Sequence, residues 1–270
     1  MSRRGAAQLK VERGELKVTN QPESHVPRTT SAIPTFNLQL MIKAIGFDAD
    51  DTLWHNENIF ERAQQRYREI LSRYHEAKAV DEALFATEMR NLPLYGYGVK
   101  SFTLSSVETA IQLTKGAVSA AELREIMDVG REMLAHPVEM LPEVASVVAK
   151  LSTEYRLVVI TKGDLHHQER KIAASKLAAH FHAVEIVSEK DDETYARLFA
   201  RQGIAVEEFA MVGNSVKSDI WPVLQLGGAG VHIPYHITWQ HEHIAESPSE
   251  HPRFRQIERI DQLAGVLATL

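Results

Sequence analysis

The sequence contains no cysteine among its 270 residues. This excludes a disulfide framework and any thiolate metal site, and it makes a reducing compartment the default, so we expect a cytoplasmic location. No uninterrupted apolar run reaches the roughly 18 residues that a membrane helix needs. The net charge of −6 lacks the basic excess typical of proteins that bind nucleic acid. We therefore expect neither a membrane nor a nucleic-acid partner.

The first 40 residues lack the periodicity of the rest of the chain. They hold three prolines, carry six Lys or Arg against three Glu, and have no apolar core of the kind that a secretory signal requires. We predict that residues 1–40 form a disordered or poorly ordered extension. Met41, directly before the first apolar run, is then a plausible native start.

From Met41 onward the sequence alternates short apolar runs with helical patterns. Near-continuous apolar strands are typical of a parallel sheet covered by helices on both faces. The pattern predicts an α/β fold, with a doubly wound, Rossmann-like parallel sheet. Five runs have the length of strands: "KAIGFD" (43–48), "RLVVIT" (156–161), "AVEIVS" (183–188), "FAMVG" (209–213) and "GVHIP" (230–234).

One interval breaks this alternation. Roughly 100 residues separate the first run from the second, which is too long for an ordinary strand-to-helix connection. Residues 57–136 have helical periodicity instead, as in "IFERAQQRYREILSRYHEA". We predict an inserted helical domain over 57–136, with the α/β domain made of 41–56 and 137–270.

An acidic cluster follows the first predicted strand. In "FDADDTLW" (47–54), Asp48, Asp50 and Asp51 stand within four positions. These carboxylates repel one another, so a cation or a strong set of donors should lie beside them. A calcium loop is excluded, because it needs Gly at its sixth position and Glu at its twelfth, where Leu53 and Ile59 stand.

Other polar residues stand at the ends of the later strands. Thr161 ends the second run, and Asp219 follows the fourth run closely. The carboxyl ends of parallel strands lie along one edge of the sheet, where open α/β folds place their ligand crevice. Lys190, after the third run, would balance the charge, with Lys162 and Lys217 as substitutes. The sequence therefore predicts a site that a divalent cation, a lysine and a bound anion share.

This constellation resembles the haloacid dehalogenase-like (HAD) hydrolase superfamily over residues 42–235. Asp48, Asp50 and Thr52 match its first motif, an apolar strand followed by Asp-x-Asp-x-Thr. Thr161 matches its second motif. Lys190 matches the lysine of the third motif, although the proline that usually follows is missing.

The fourth motif of the superfamily is usually Gly-Asp with a second Asp a few residues later. Here "GNSVKSD" has Asn214 at the first position and keeps Asp219. The amide leaves one negative charge fewer, and Asn214 could act one shell away from the metal. The helical insertion is similar to the cap found in one large branch of the superfamily.

The resemblance implies a Mg²⁺-dependent phosphomonoester hydrolase that acts on a small phosphorylated metabolite. Asp48 would attack phosphorus and form an aspartyl-phosphate, and Asp50 would serve as general acid and then base. Asp48, the backbone carbonyl of Asp50, and Asp219 would hold Mg²⁺. Thr161 and Lys190 would bind the phosphoryl oxygens. Dehalogenases of the superfamily generally lack the second Asp, so Asp50 favours a phosphatase.

Three alternatives remain at this stage: a phosphomutase of the same superfamily, a catalytically weak phosphate-binding relative, and a phosphoacceptor signalling module. The last is normally about half this length and has no helical cap. The roles of two segments are also left open. The turn "LPLYGYGVKSF" (92–102) either packs within the cap or faces the substrate. The histidines of "VHIPYHITWQHEHIAESPSEHP" either face solvent or form a metal pair.

Overall fold

The structure is a computed structural model that describes residues 41–244 and 247–270. The predicted extension over 1–40 lies outside the described residues and stays a prediction. Within the described ranges, no helix is long and apolar enough to cross a membrane.

A parallel sheet forms the centre of the α/β part. Its strands are β1 (Ala44–Phe47), β2 (Arg156–Lys162), β3 (Ala183–Val187), β4 (Phe209–Gly213), β5 (Ala229–His232) and β6 (Phe254–Gln256). They lie in the order β3-β2-β1-β4-β5-β6, and every neighbouring pair is parallel. The predicted α/β fold is confirmed. The short β6 lacks a sequence signal, because only Phe254 of its three residues is buried.

Nine α-helices accompany the strands in the described ranges. They are α1 (Glu57–Leu71), α2 (Ala77–Tyr95), α3 (Val99–Leu113), α4 (Ala120–Ala135), α5 (Val144–Leu151), α6 (Leu165–Ser175), α7 (Asp192–Gln202), α8 (Trp221–Gln225) and α9 (Leu263–Leu267).

Helices cover both faces of the sheet, as its apolar strands require. Alternate residues of β1 point to opposite faces, so Phe47 belongs to one buried cluster and Ala44 to another. The Phe47 cluster includes residues of α5, α6 and α9. The Ala44 cluster includes residues of α7 and α8. Both faces are therefore closed to solvent, and the carboxyl edge of the sheet is left for a site.

The helices α1 to α4 lie between β1 and β2 in the chain and have a core of their own. Tyr67, Leu84, Phe102, Ile126 and Met133 belong to this buried cluster, which is separate from those of the sheet. The helices occupy the interval in which the sequence predicts an insertion. We keep 57–136 as its proposed extent and refer to these four helices as the helical layer.

The chain passes between the sheet and the helical layer twice, and the two passages pair with each other. The His55 amide donates to the Glu139 carbonyl (2.9 Å), and the Leu141 amide donates to the Leu53 carbonyl (3.0 Å). Trp54 and Met140 form an antiparallel bridge between them. We call residues 53–55 and 139–141 the crossing ladder. It begins directly after the acidic loop, so it joins the helical layer to that loop.

Candidate active site

The acidic loop begins where β1 ends, and Asp51 shapes it. Asp51 has a φ of 64°, in the left-handed region that Asp tolerates better than most residues. Its carboxylate accepts from the backbone amides of Asn56 (2.8 Å) and Glu57 (3.1 Å), where α1 begins. Asp51 therefore holds the turn and stabilises the first turn of α1, and its contacts do not point to a part in the chemistry.

Lys190 lies between two acidic side chains. Its Nζ is 2.5 Å from Asp48 Oδ1 and 2.6 Å from Asp219 Oδ1, and all three residues are buried. The structure thus brings the ends of β1, β3 and β4 together, as the parallel sheet predicts. Lys162 and Lys217 do not contact Asp48: Lys162 pairs with Glu242, and Lys217 donates to the His241 carbonyl (2.7 Å).

The charges of this cluster depend on one another. Burial raises the pKa of Asp48, although the Lys190 ammonium opposes that rise. Burial alone would lower the pKa of Lys190, but the Asp219 and Asp48 carboxylates outweigh it and raise the pKa above its ordinary value. The ammonium contacts both carboxylates, so we take Lys190 as charged and Asp48 as ionised beside it.

Asp219 is placed by an unusual turn. The stretch "KSDIWPVLQLGG" (217–228) has a helical pattern, but the structure has a π-helical turn over Val216–Ile220 before the short α8. The Ser215 amide donates to Asp219 Oδ2 (2.9 Å). A Cβ on Gly213 would overlap the Asp219 carboxyl group, so a glycine is needed there. Single π turns recur at functional sites, where they re-aim a side chain.

Thr52 connects the first and fourth motifs. Its Oγ1 donates to Asp48 Oδ2 (3.0 Å) and lies 3.3 Å from Asn214 Oδ1. Lys190 and Thr52 therefore fix the two oxygens of Asp48 separately. Asn214 lies one hydrogen bond away from Asp48, so it is near the carboxylates without contacting them.

Asp50 is fixed by three donors. Trp54 Nε1 donates to Asp50 Oδ1 (2.6 Å), Lys171 Nζ is 2.5 Å from the same oxygen, and Gln168 Nε2 is 3.2 Å from Oδ2. Neither Gln168 nor Lys171 was predicted from the sequence. They stand three residues apart on α6, directly after β2, and that spacing on one helix face was the available signal.

Thr161 lies behind the cavity surface. It is buried, its Oγ1 accepts from Gln168 Nε2 (2.8 Å), and it is not among the residues that line the cavity. Gln168 connects it to Asp50. The structure brings Thr161 to the site through Gln168, and its contact with a phosphate stays a prediction.

Glu242 is a further site residue that the sequence did not indicate, because it stands in the histidine-rich loop after β5. It accepts from Lys162 Nζ (2.7 Å) and from the Ser215 and Ser218 hydroxyls (2.6 Å each). Burial alone would raise the pKa of Glu242, but Lys162 and the two hydroxyls lower it to about 2. Glu242 is therefore ionised and neutralises Lys162.

A cavity of about 170 Å³ opens beside these side chains, between the sheet edge and the helical layer. Asp48, Asp50 and Lys190 line its floor, and Glu57 and Glu88 line it from α1 and α2. The turn "LPLYGYGVKSF" also contributes to the lining. Its Tyr97 hydroxyl donates to Glu189 Oε2 (2.6 Å). This segment therefore faces the cavity as well as packing on the α/β part.

The side chains that could act as metal ligands determine which metal ion would suit the site. In residues 41–244 and 247–270, no three His, Cys, Asp or Glu side chains converge to hold a metal ion. Asp48 and Asp219 do converge, since both contact Lys190 Nζ. Mg²⁺ usually uses one or two carboxylates and keeps several waters, whereas structural zinc takes four protein ligands. The residues present fit Mg²⁺.

Comparison with known proteins agrees with this arrangement. The family model described as haloacid dehalogenase-like hydrolase matches residues 42–227. The human N-acylneuraminate-9-phosphatase is 26% identical over 197 residues, which cover 69% of this chain and 79% of that enzyme.

Solved structures share the fold. A haloacid dehalogenase-like family hydrolase from Xanthomonas campestris has a TM-score of 0.76 and 41% identity, covering 84% of this chain and 91% of that one. The HAD-hydrolase YfnB from Bacillus subtilis, bound to magnesium, has a TM-score of 0.60 and 14% identity, covering 84% and 99%. The motifs, the sheet and the family match lead to one conclusion: this chain is an enzyme of the haloacid dehalogenase-like hydrolase family.

Proposed function

We propose that this hydrolase is a Mg²⁺-dependent phosphomonoesterase that acts through an aspartyl-phosphate on Asp48, with a small phosphorylated metabolite as substrate. The observation that carries the proposal is the buried Lys190 ammonium between Asp48 and Asp219, with Asp50 on the same loop. The likeness to a curated phosphatase supports it. The cytoplasm is our proposed location.

Asp48 acts as the nucleophile. Its Oδ1 is held by Lys190 and its Oδ2 by Thr52, so the carboxylate has one fixed orientation at the end of β1. An Asp48 oxygen bonds to phosphorus while the ester oxygen departs with the electron pair of the P–O bond. Water then attacks the phosphorus and returns Asp48 to its carboxylate.

Asp50 moves the proton in both half-reactions. It protonates the departing ester oxygen and then accepts a proton from the attacking water. Trp54, Gln168 and Lys171 contact its two oxygens and fix its orientation. A halide leaving group needs no proton, so a positioned Asp50 favours phosphate esters over haloacids as substrates.

The Asp48 and Asp219 carboxylates and the Asp50 backbone carbonyl would hold Mg²⁺. When bound, the ion supplies positive charge between the carboxylates and the incoming phosphate and polarises the phosphoryl oxygens. Lys190 adds a fixed positive charge for the transition state, and Thr161 is proposed to bind another phosphoryl oxygen. Asn214, whose Oδ1 is 3.3 Å from Thr52 Oγ1, would act one shell away from the ion. The helical layer serves as the cap.

A phosphate-release assay tests the proposal. With p-nitrophenyl phosphate and Mg²⁺ we expect turnover that a chelator abolishes and added Mg²⁺ restores. Asp48→Asn should abolish it, and Asp50→Asn should slow it by roughly 10²–10⁴, the usual scale of general acid–base catalysis. Asp128→Asn, on an exposed face of α4, is the matched control.

Two outcomes would contradict the mechanism: full turnover after exhaustive chelation, or a wild-type rate in Asp48→Asn. Mass spectrometry of protein quenched during turnover should place the phosphoryl group on the peptide that contains Asp48. Product analysis with sugar phosphates separates hydrolysis, which frees inorganic phosphate, from a mutase, which yields an isomeric phosphate ester.

A further inference from the structure

The charges that line the cavity restrict the part of the substrate that lies beyond its phosphate. On the basis of the proposed function, we propose that the part of the substrate beyond its phosphate carries hydroxyl or amino groups and no carboxylate. The substrate class is then a polyol, sugar or amino-alcohol phosphate, rather than a phosphorylated acid.

The lining has many more acids than cations. Its acidic members are Asp48, Asp50, Asp51, Glu57, Glu88, Asp164, Asp219 and Glu242, and its lysines are Lys162, Lys171 and Lys190, with no arginine among the lining residues. The acids thus outnumber the lysines by five. A bound Mg²⁺ would add two positive charges to the cavity, and the substrate phosphate would use that positive charge itself.

All three lysines of the lining already pair with protein carboxylates. Lys190 contacts Asp48 and Asp219, and Lys171 is 2.5 Å from Asp50. Lys162 is 2.7 Å from Glu242, whose other oxygen accepts from two serine hydroxyls. Recognition of a substrate carboxylate normally uses a cation, bidentate Arg above all. A substrate carboxylate that bound one of these lysines would have to break the pair between that lysine and its protein carboxylate.

Glu57 and Glu88 make the region beyond the phosphate site unfavourable for negative charge. Burial raises the pKa of Glu57 to about 8, and the Asp51 and Asp50 carboxylates add to the rise. Burial alone raises the pKa of Glu88 to about 7. The surroundings that oppose ionisation of these two side chains equally oppose an incoming carboxylate. Hydroxyl groups pair with either form of a carboxyl, and an ammonium pairs with the ionised form.

Gln168 gives an independent indication. It lines the cavity, the residue is only 2% exposed, and its Nε2 lies within hydrogen-bond distance of Asp50 Oδ2, Thr161 Oγ1 and the Lys162 carbonyl. Its Oε1 is buried without a hydrogen-bond partner in the described part of the chain. A buried acceptor without a donor is costly, and a ligand O–H or N–H that reached this oxygen after a small movement of Gln168 would remove that cost. A carboxylate brings neither.

The cavity also limits size. Its 170 Å³ is below the roughly 300–1,000 Å³ of pockets that hold drug-sized ligands. A compact metabolite fits that space.

Matched substrate pairs test the inference. We would compare glycerol 3-phosphate with 3-phosphoglycerate, glucose 6-phosphate with 6-phosphogluconate, and phosphoethanolamine with 2-phosphoglycolate, at pH 8 with saturating Mg²⁺. In each pair one member carries a carboxylate where the other carries a hydroxyl, carbonyl or amino group. We expect kcat/KM to be at least tenfold higher for the member without the carboxylate.

Variants assign the preference to the cavity. Glu88→Lys should raise kcat/KM for the carboxylate members relative to their partners at least tenfold, and the milder Glu88→Gln should move the ratio in the same direction. The control is Glu82→Lys, which makes the same charge change on α2 at a side chain that is 70% exposed. Glu82→Lys should leave the ratio of kcat/KM between the two members of each pair unchanged.

The outcomes separate the two proposals. Faster hydrolysis of the carboxylate members, an unchanged ratio in both Glu88 variants, or an equal change in Glu82→Lys would overturn the inference and leave the phosphatase standing. Release of phosphate from none of the six substrates would overturn both.

Discussion

Removing the Lys190 ammonium tests the energetics of the site without assuming any substrate. In Lys190→Met the chain length of the side chain is nearly kept, but the Asp48 and Asp219 carboxylates lose the cation that both contact, at 2.5 and 2.6 Å. Breaking a buried ion pair on one side typically costs about 3–5 kcal/mol, because it leaves buried charge uncompensated. We expect a loss of that size in the free energy of unfolding at pH 8, measured by urea denaturation with a chelator present.

The loss of unfolding free energy in Lys190→Met should depend on pH in a defined direction. Without Lys190, burial raises the folded-state pKa of Asp48 further above the ordinary value near 4 of an unfolded Asp, because the cation that opposes the rise is gone. A group with a raised folded pKa contributes stability that is present at low pH and is lost as pH rises through that pKa. The destabilisation should therefore be smaller at pH 5 than at pH 8, by about 1–2 kcal/mol.

A surface lysine provides the control. Lys43 also pairs with a carboxylate, Glu208 at 2.6 Å, but its side chain is 68% exposed. Lys43→Met should cost less than about 1 kcal/mol at either pH. If Lys190→Met costs no more than Lys43→Met, or costs the same at both pH values, the reasoning about buried charge is wrong.

Three further predictions concern single residues. Gly213→Ala should cost about 1–3 kcal/mol and most of the activity, because its Cβ would overlap the Asp219 carboxyl group, whereas Gly265→Ala, which meets nothing within 4 Å, should be neutral in both assays. The depressed pKa of Glu242, about 2, implies stability that is present above the ordinary Glu value and is lost as pH falls toward 2. Glu242→Gln should therefore be about 2–3 kcal/mol less stable than wild type at pH 7, and urea denaturation should find the gap closing between pH 5 and 2. Asn214→Asp should lower the Mg²⁺ concentration for half-maximal activity, because it adds a negative charge near Asp48, and an equal or higher concentration would show that position 214 does not sense the ion.

The strands and the charged centre were accessible from the sequence because each has a local signal. Apolar runs such as "RLVVIT" predict buried strands, and the parallel sheet then requires that residues at their ends meet. Asp48 and Asp219 are widely separated in the chain, yet the topology predicts their approach, and the need for a balancing cation favours Lys190 beside them. Asp50 was found because it shares the loop of Asp48.

The remaining site residues depend on tertiary contacts that leave no periodic pattern. Glu242 stands in an irregular loop, and only the folded chain places it against Lys162. Because the sequence does not reveal that contact, it left Lys162 as an alternative to Lys190. The π-helical turn at Asp219 was missed because its residues are typical of an ordinary helix, and its geometry follows from Gly213 and the Ser215 amide.

The crossing ladder has a consequence for catalysis. Trp54 belongs to the ladder and also donates through Nε1 to Asp50. A rotation of the helical layer that disturbs the ladder would therefore also disturb the indole that holds Asp50, the proposed proton donor. The position of the helical layer and the orientation of Asp50 are then coupled through Trp54, which is one of the three donors to that carboxylate.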